Sequence, residues 1–228
     1  MKALAFALLA FLAWPSVGAA ATIVVDTGHT EIAGGSRAAN GVPEFRINRS
    51  MAEQVIEALV VRGHEVIDPH ALGEDGSLLS RVKRTSRADR FISIHHDSIQ
   101  PHYLKAGRQR EFAGFAVFVS AKNVHRDPSL RCSIALGDAL IATGGRPSKY
   151  HAEPIKGENR PLLDPARGIH RFDDLVVLKG AQSPAVLLEV GVIVNPDELE
   201  RLTDPRWVAT TAAAIGEAVH RCVGSANR

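Results

Sequence analysis

Four polar residues, far apart along the chain, carry side chains that could act together on a substrate: His29, Glu44, His95 and Glu189. Two imidazoles and one carboxylate are a common hydrolytic zinc set, because three protein ligands leave a coordination position open for water. Zinc draws that water's pKa towards neutrality, so hydroxide becomes available to attack an amide carbonyl. Glu189 stands among Val186, Leu187, Leu188 and Val190, where a carboxylate is costly to bury unless it has a metal, a partner or a task. Such a group could take the proton of the water and hand it to the leaving amine. Structural roles compete at each position. A histidine that follows a strand often caps a loop, and an acidic residue opening a helix already suits the helix dipole. His95 and His96 compete as well, since consecutive strand residues point to opposite faces.

The elements that would position these residues can be read from period and punctuation. Short apolar runs at residues 22–26, 64–67, 91–95, 114–119, 175–178 and 185–190 have strand length. Between them lie stretches of helical period. Residues 44–62 place Ile47, Met51, Val55, Ile56 and Leu59 on one stripe, and Gly63 stands where a helix ends. Ser77 can cap a helix to about residue 89, and Asp127-Pro128, Asn195-Pro196 and Asp204-Pro205 each read as a cap followed by a proline at the first helical position. This alternation predicts an α/β fold: one domain, a six-stranded, mostly parallel sheet, and helices on both faces. In a parallel sheet His29, Glu44, His95 and Glu189 fall at the carboxyl edge, where open α/β sheets bind their ligands. Residues 143–171 are polar, carry prolines and show no period, so they read as a long ordered loop or insertion.

Read together, Val24-Val25-Asp26-Thr27-Gly28-His29, Glu44 with Asn48, Ser93-Ile94-His95, and Leu188-Glu189-Val190-Gly191 with Asn195-Pro196 and Glu198 resemble the zinc-dependent N-acetylmuramoyl-L-alanine amidases, the family known as amidase 3. The likeness runs in order from the first strand to the last helices. It implies that His29, Glu44 and His95 hold zinc and that Glu189 is catalytic, which selects His95 over His96 and leaves His96 behind the site or on the surface. It implies peptidoglycan as substrate, with hydrolysis of the amide between N-acetylmuramic acid and L-alanine. Arg81 matches the family's usual helix and reads as a structural anchor, while Asp26 could orient His29 or close the turn. Thr30, Asp97, Val192 and Val194 depart from the family pattern, and the last two leave the pocket wall beside Glu189 in question. Some relatives block the zinc cleft with an inserted segment until a protein activator binds. Residues 143–166 occupy the corresponding place here, with Glu153 or Glu158 able to approach the metal; a solvated surface loop is the other reading.

Composition bounds the remaining possibilities. The chain has 228 residues, 45% of them hydrophobic, and a formal charge of +2, too small for the electrostatic footprint of a nucleic-acid binder. Met1-Lys2, the apolar run of residues 3–14 and the small residues up to Ala21 read as a secretory signal peptide, leaving 22–228 as the catalytic domain. No later run approaches the ~20 apolar residues of a membrane span. An exported protein, periplasmic or extracellular, is therefore expected, and a Cys132–Cys222 disulfide becomes chemically permitted, two separately buried thiols being the alternative. Two other functions fit the same residues: a zinc carboxypeptidase on wall peptides, or an exported protein that binds zinc or wall without catalysis.

Overall fold

The computed structural model describes residues 20–70 and 77–224. Of the expected signal segment, residues 1–21, residues 1–19 lie outside them. Strands β1 (Thr22–Thr27), β2 (Glu65–Ile67), β3 (Arg90–Asp97), β4 (Ala116–Val119), β5 (Leu162–Asp164), β6 (Ile169–Arg171) and β7 (Ala185–Val192) form one sheet in the order β2-β1-β3-β7-β4-β6-β5. Helices α1 (Glu44–Val61), α2 (Leu78–Arg84), α3 (Pro101–Lys105), α4 (Arg126–Ala142), α5 (Val176–Lys179), α6 (Pro196–Leu202) and α7 (Pro205–Gly224) surround it.

The α/β class and the helices on both faces agree with the sequence expectation, but the sheet is mixed and has seven strands. β1, β2, β3 and β7 are parallel, β4 runs antiparallel to β7, and β5 runs antiparallel to β6. Two differences account for the count. The apolar run at 175–178 is the turn of helix α5, in which Val177 and Leu178 are buried; four apolar residues carry no period that separates a buried strand from a buried helical turn. The stretch read as a loop supplies β5 and β6, three residues each, too short to show alternation. Asp127 also falls inside the first turn of α4, one residue after its start at Arg126, with His125 at the cap position.

Strand alternation divides the core. Ile23, Val25, Ile92, Ile94, Val186, Leu188 and Val190 face α1, α4 and α7 and form the larger apolar cluster. Val24, Phe91, Ala185 and Leu187 face the other way, with Val177 and Leu178 of α5. Cys132 of α4 and Cys222 of α7 are joined by a disulfide that ties two helices of the larger face. A third cluster, Ile99, Phe112, Tyr150, Val192 and Val194, lies past the carboxyl ends of β3 and β7. Val192 and Val194, the departures from the family pattern, thus support the segment carrying Tyr150; they do not line the wall beside Glu189.

Candidate metal and catalytic site

The parallel register places the candidate residues side by side. His95 of β3 pairs directly with Glu189 of β7, and their side chains continue the face that carries Phe91, Ala185 and Leu187. His96 points to the opposite face, as alternation requires. Its Nδ1 lies 2.8 Å from Asn48 Oδ1 on α1, while Asn48 Nδ2 donates to Gly28 O and to Glu44 Oε1. With the amide nitrogen committed to two acceptors, His96 must donate from Nδ1. Burial pushes the His96 pKa down to about 4, against the pull of Glu44 and with repulsion from His95, so it stays neutral.

Glu44 opens α1 after Pro43 and is buried, reaching across the sheet edge. Its Oε2 lies 3.0 Å from His29 Nε2 and its Oε1 3.2 Å from His95 Nδ1. Burial would raise its pKa, but His29 and His95 outweigh that and hold the carboxyl well below the usual range. The donor atoms of His29, Glu44 and His95 all lie within 4.8 Å of one another. A tetrahedral ion with bonds of about 2.0–2.1 Å holds its donors roughly 3.4 Å apart, so small side-chain adjustments would seat one here.

Two glycines keep the space open. A Cβ on Gly28 would stand 2.4 Å from the His95 ring, and one on Gly35, whose φ is +74°, would stand 2.6 Å from both Glu44 Oε2 and the His29 ring. His29 itself has φ of 68°, unusual for a residue with a side chain. Arg81 of α2 holds that turn by donating to Thr27 O and His29 O and by pairing with buried Asp26, 3.2 Å away. Asp26 therefore acts on His29 through Arg81, accepting a bond also from Ser93 Oγ at 2.6 Å, and Arg81 is the anchor its position suggested.

Glu189 completes the group. Its Oε2 is sealed from water and has no hydrogen-bond partner. Burial above all, then the charges of Asp97 and Glu44, push its pKa well up. A half-buried carboxyl with one oxygen sealed and unpartnered, beside two imidazoles and a second carboxylate, is the kind of group a cation would compensate.

The site opens on two lobes that share His29, His95 and Glu189. One, of about 420 Å³, has an apolar wall of Phe118, Phe172, Leu175, Val177 and Leu187. The other, of about 430 Å³, is bordered by Ser36, Ser98, Gln100 and Glu158. Residues 143–166 border the polar lobe through Glu158 and are anchored by a few buried side chains. Tyr150 and His151 are buried, Glu158 lines the polar lobe but is bonded to His151 and Gln100, and Glu153 accepts a bond from Tyr103 Oη.

Residues 23–221 match the family model Amidase_3, N-acetylmuramoyl-L-alanine amidase. The chain belongs to this family. Solved structures with the same fold include the N-acetylmuramyl-L-alanine amidase Ami1 from Mycobacterium smegmatis, 22% identical over 91% of this chain and 99% of that one, with a TM-score of 0.72. The catalytic domain of the amidase CwlV from Bacillus (Paenibacillus) polymyxa var. colistinus is 24% identical over 88% and 96%, with a TM-score of 0.66. The CwlD amidase from Clostridioides difficile, solved in complex with the GerS lipoprotein, is 21% identical over 90% and 99%, with a TM-score of 0.67. No curated protein matches the chain. Amidase family membership accords with peptidoglycan amide hydrolysis, and among the described residues no helix is long and apolar enough to cross a membrane.

The amidase family motifs point to the four central residues, with Asn48 and Arg81 beside them, but not to the bonds that hold them. Asn48 is the link between His96, Gly28 and Glu44, and the bridge from Asp97 through His151 to Glu158 spans 61 residues of sequence. Contacts so distant along the chain have no periodic signature; the sequence traces were Asp97 standing out from the family pattern and Glu158 standing in the inserted segment.

Proposed function

We propose that this chain hydrolyses the amide joining the lactyl group of N-acetylmuramic acid to L-alanine in peptidoglycan, with zinc held by His29, Glu44 and His95 and with Glu189 as general base and acid. The observation that carries this reading is the convergence of three side chains able to ligate a metal, from three elements, beside the half-buried Glu189, whose Oε2 is sealed and without a partner. Bound zinc would lower the pKa of its water towards 7 and polarise the amide carbonyl. Glu44, already ionised, supplies negative charge to the cation, while Asn48 and His96 hold its orientation from behind. Glu189, on the strand beside His95, takes the proton of the attacking water and returns it to the departing L-alanine amine, a role worth roughly 10²–10⁴-fold in rate.

This reading includes export by the signal segment, cleavage near Ala20 or Ala21, and release of stem peptides during wall remodelling or cell separation. It also allows a protein activator, in keeping with the similar CwlD structure solved with a lipoprotein. The carboxypeptidase reading is weaker on a specific ground. A carboxypeptidase needs an arginine to receive the substrate's terminal carboxylate, and among the described residues lining the two lobes the arginine present is Arg81, already paired with Asp26 and two backbone carbonyls. Mass spectrometry of muropeptides after incubation with the mature protein separates the two. New free amines on L-alanine are expected; release of a C-terminal amino acid in their place would overturn the assignment.

A further inference from the structure

Beyond the metal group, the cleft contains a second chain of charges. His151 is buried, and both its ring nitrogens are engaged: Nε2 lies 2.8 Å from Asp97 Oδ2 and Nδ1 lies 2.8 Å from Glu158 Oε2. Glu158 also pairs with Arg160 and accepts from Gln100 Nε2 at 2.7 Å. Tyr150 Oη accepts from Gln100 N at 2.7 Å. Gly157, with φ of +97°, brings its backbone so close that a Cβ would stand 2.7 Å from Gln100 Nε2. The contacts of Asp97 with His151 and of Gln100 with Tyr150, Gly157 and Glu158 join the 143–166 segment to the stretch that follows His95, while those of Glu158 with His151 and Arg160 brace the segment from within.

The bridge touches both lobes. Asp97, Gln100 and Glu158 border the polar lobe, while the His151 ring packs edge-on at 4.8 Å against Phe118 of the apolar wall. Two carboxylates on one imidazole favour its charged form. Burial works against that charge, but Asp97 and Glu158 prevail and push the pKa up to about 9. A charged group so enclosed is costly to leave with one partner removed, so the three side chains hold one arrangement.

We infer that His151 is a positioning residue for the hydrolysis proposed above: by bridging Asp97 and Glu158 it clasps residues 143–166 to the end of β3 and fixes the polar lobe against which the substrate docks. The inference rests on the proposed activity for its kinetic consequence but on the bridge alone for its structural one. Loss of the clasp should weaken ground-state docking while leaving the metal group and Glu189 in place, which raises KM with little change in kcat.

The test combines hydrogen exchange with kinetics on a soluble N-acetylmuramoyl peptide, using the full mature protein. In H151A, amides of residues 150–160 should exchange at least tenfold faster, KM should rise at least fivefold, and kcat should stay within twofold. E158Q, which keeps the side-chain shape but removes the charge facing His151 and Arg160, should move both readouts in the same direction by at least threefold, and it carries the test if H151A does not fold. Unchanged exchange in the folded variants, or a fall in kcat with KM unmoved, would overturn the inference. If the parent protein shows no amide hydrolysis, the proposed activity fails, while the exchange rates still decide whether the clasp exists.

Discussion

At the scale of single residues, the account turns on how neighbours set the state of each carboxyl. Glu44 is pulled down by two imidazoles, whereas Glu189, on the next strand from His95, is pushed up by burial and by the charges of Asp97 and Glu44. Two carboxyls driven apart in this way are suited to different tasks, one as a permanent anion for a metal and one as a proton carrier. Replacing Glu189 by Gln should therefore cut turnover by roughly 10²–10⁴-fold while zinc affinity stays within a few fold. The same change should raise the melting temperature of the metal-free protein. A carboxyl whose folded pKa is raised costs stability above its ordinary value, and glutamine removes that cost. A thermal melt in excess chelator reads this directly, and a lower midpoint than the parent's would show Glu189 satisfied in a way the hydrogen bonds do not reveal. The four central residues were legible because they stand near one edge of the sheet and within motifs that resemble those of the family. The sequence placed Asn48 in the motif with Glu44 and His96 behind the site or on the surface, but not the bond between them, since that depends on which face of β3 meets α1.

Among the elements, two connections deserve measurement. The disulfide joins α4 to α7 across a sequence separation of 90 residues. Closing a loop of that length restricts the unfolded chain by about 4–5 kcal/mol in the chain-entropy treatment. At about 2–4 °C per kcal/mol for a chain of this size, replacing both cysteines by serine should lower the melting midpoint by roughly 8–20 °C. Differential scanning calorimetry under oxidising conditions would show it; a shift below about 3 °C would mean the helices need no such tie. The second connection is the His151 bridge, whose pH limits follow from its partners. A histidine pKa raised from 6.5 to about 9 contributes stability that is complete below 6.5 and lost as pH rises through 9. Glu158, its carboxyl lowered chiefly by His151 and Gln100 against burial, contributes stability above the ordinary carboxylate value and loses it on acidification. Protection of the 150–160 amides, corrected for intrinsic exchange, should accordingly fall on passing from pH 7 to pH 10, and in a His151→Gln variant it should be flat over that range. Short elements were where sequence reading failed: the helical turn at Val176–Lys179 and the three-residue strands Leu162–Asp164 and Ile169–Arg171 are too brief to display a period, so tertiary packing decides them.

At the scale of the whole molecule, a seven-stranded mixed sheet brings β1, β3 and β7 side by side and parallel, so that a loop, a helix start and two strand ends meet over one edge. This is why residues separated by up to 160 positions form one group, and why class and edge were readable from the alternation of strands and helices while the antiparallel β4 was not. The apolar and polar lobes on either side of that group present two chemically different surfaces. The central claim is that one zinc ion at His29, Glu44 and His95 supports amide hydrolysis, and it is tested most directly by stripping the mature protein with a chelator, removing the chelator, and titrating zinc back while following release of stem peptide. The account predicts that activity vanishes on stripping, returns in full at one equivalent of zinc per chain, and fails to return in His29→Ala, Glu44→Ala and His95→Ala. Activity that survives stripping, or that zinc restores equally well in those three variants, would contradict it.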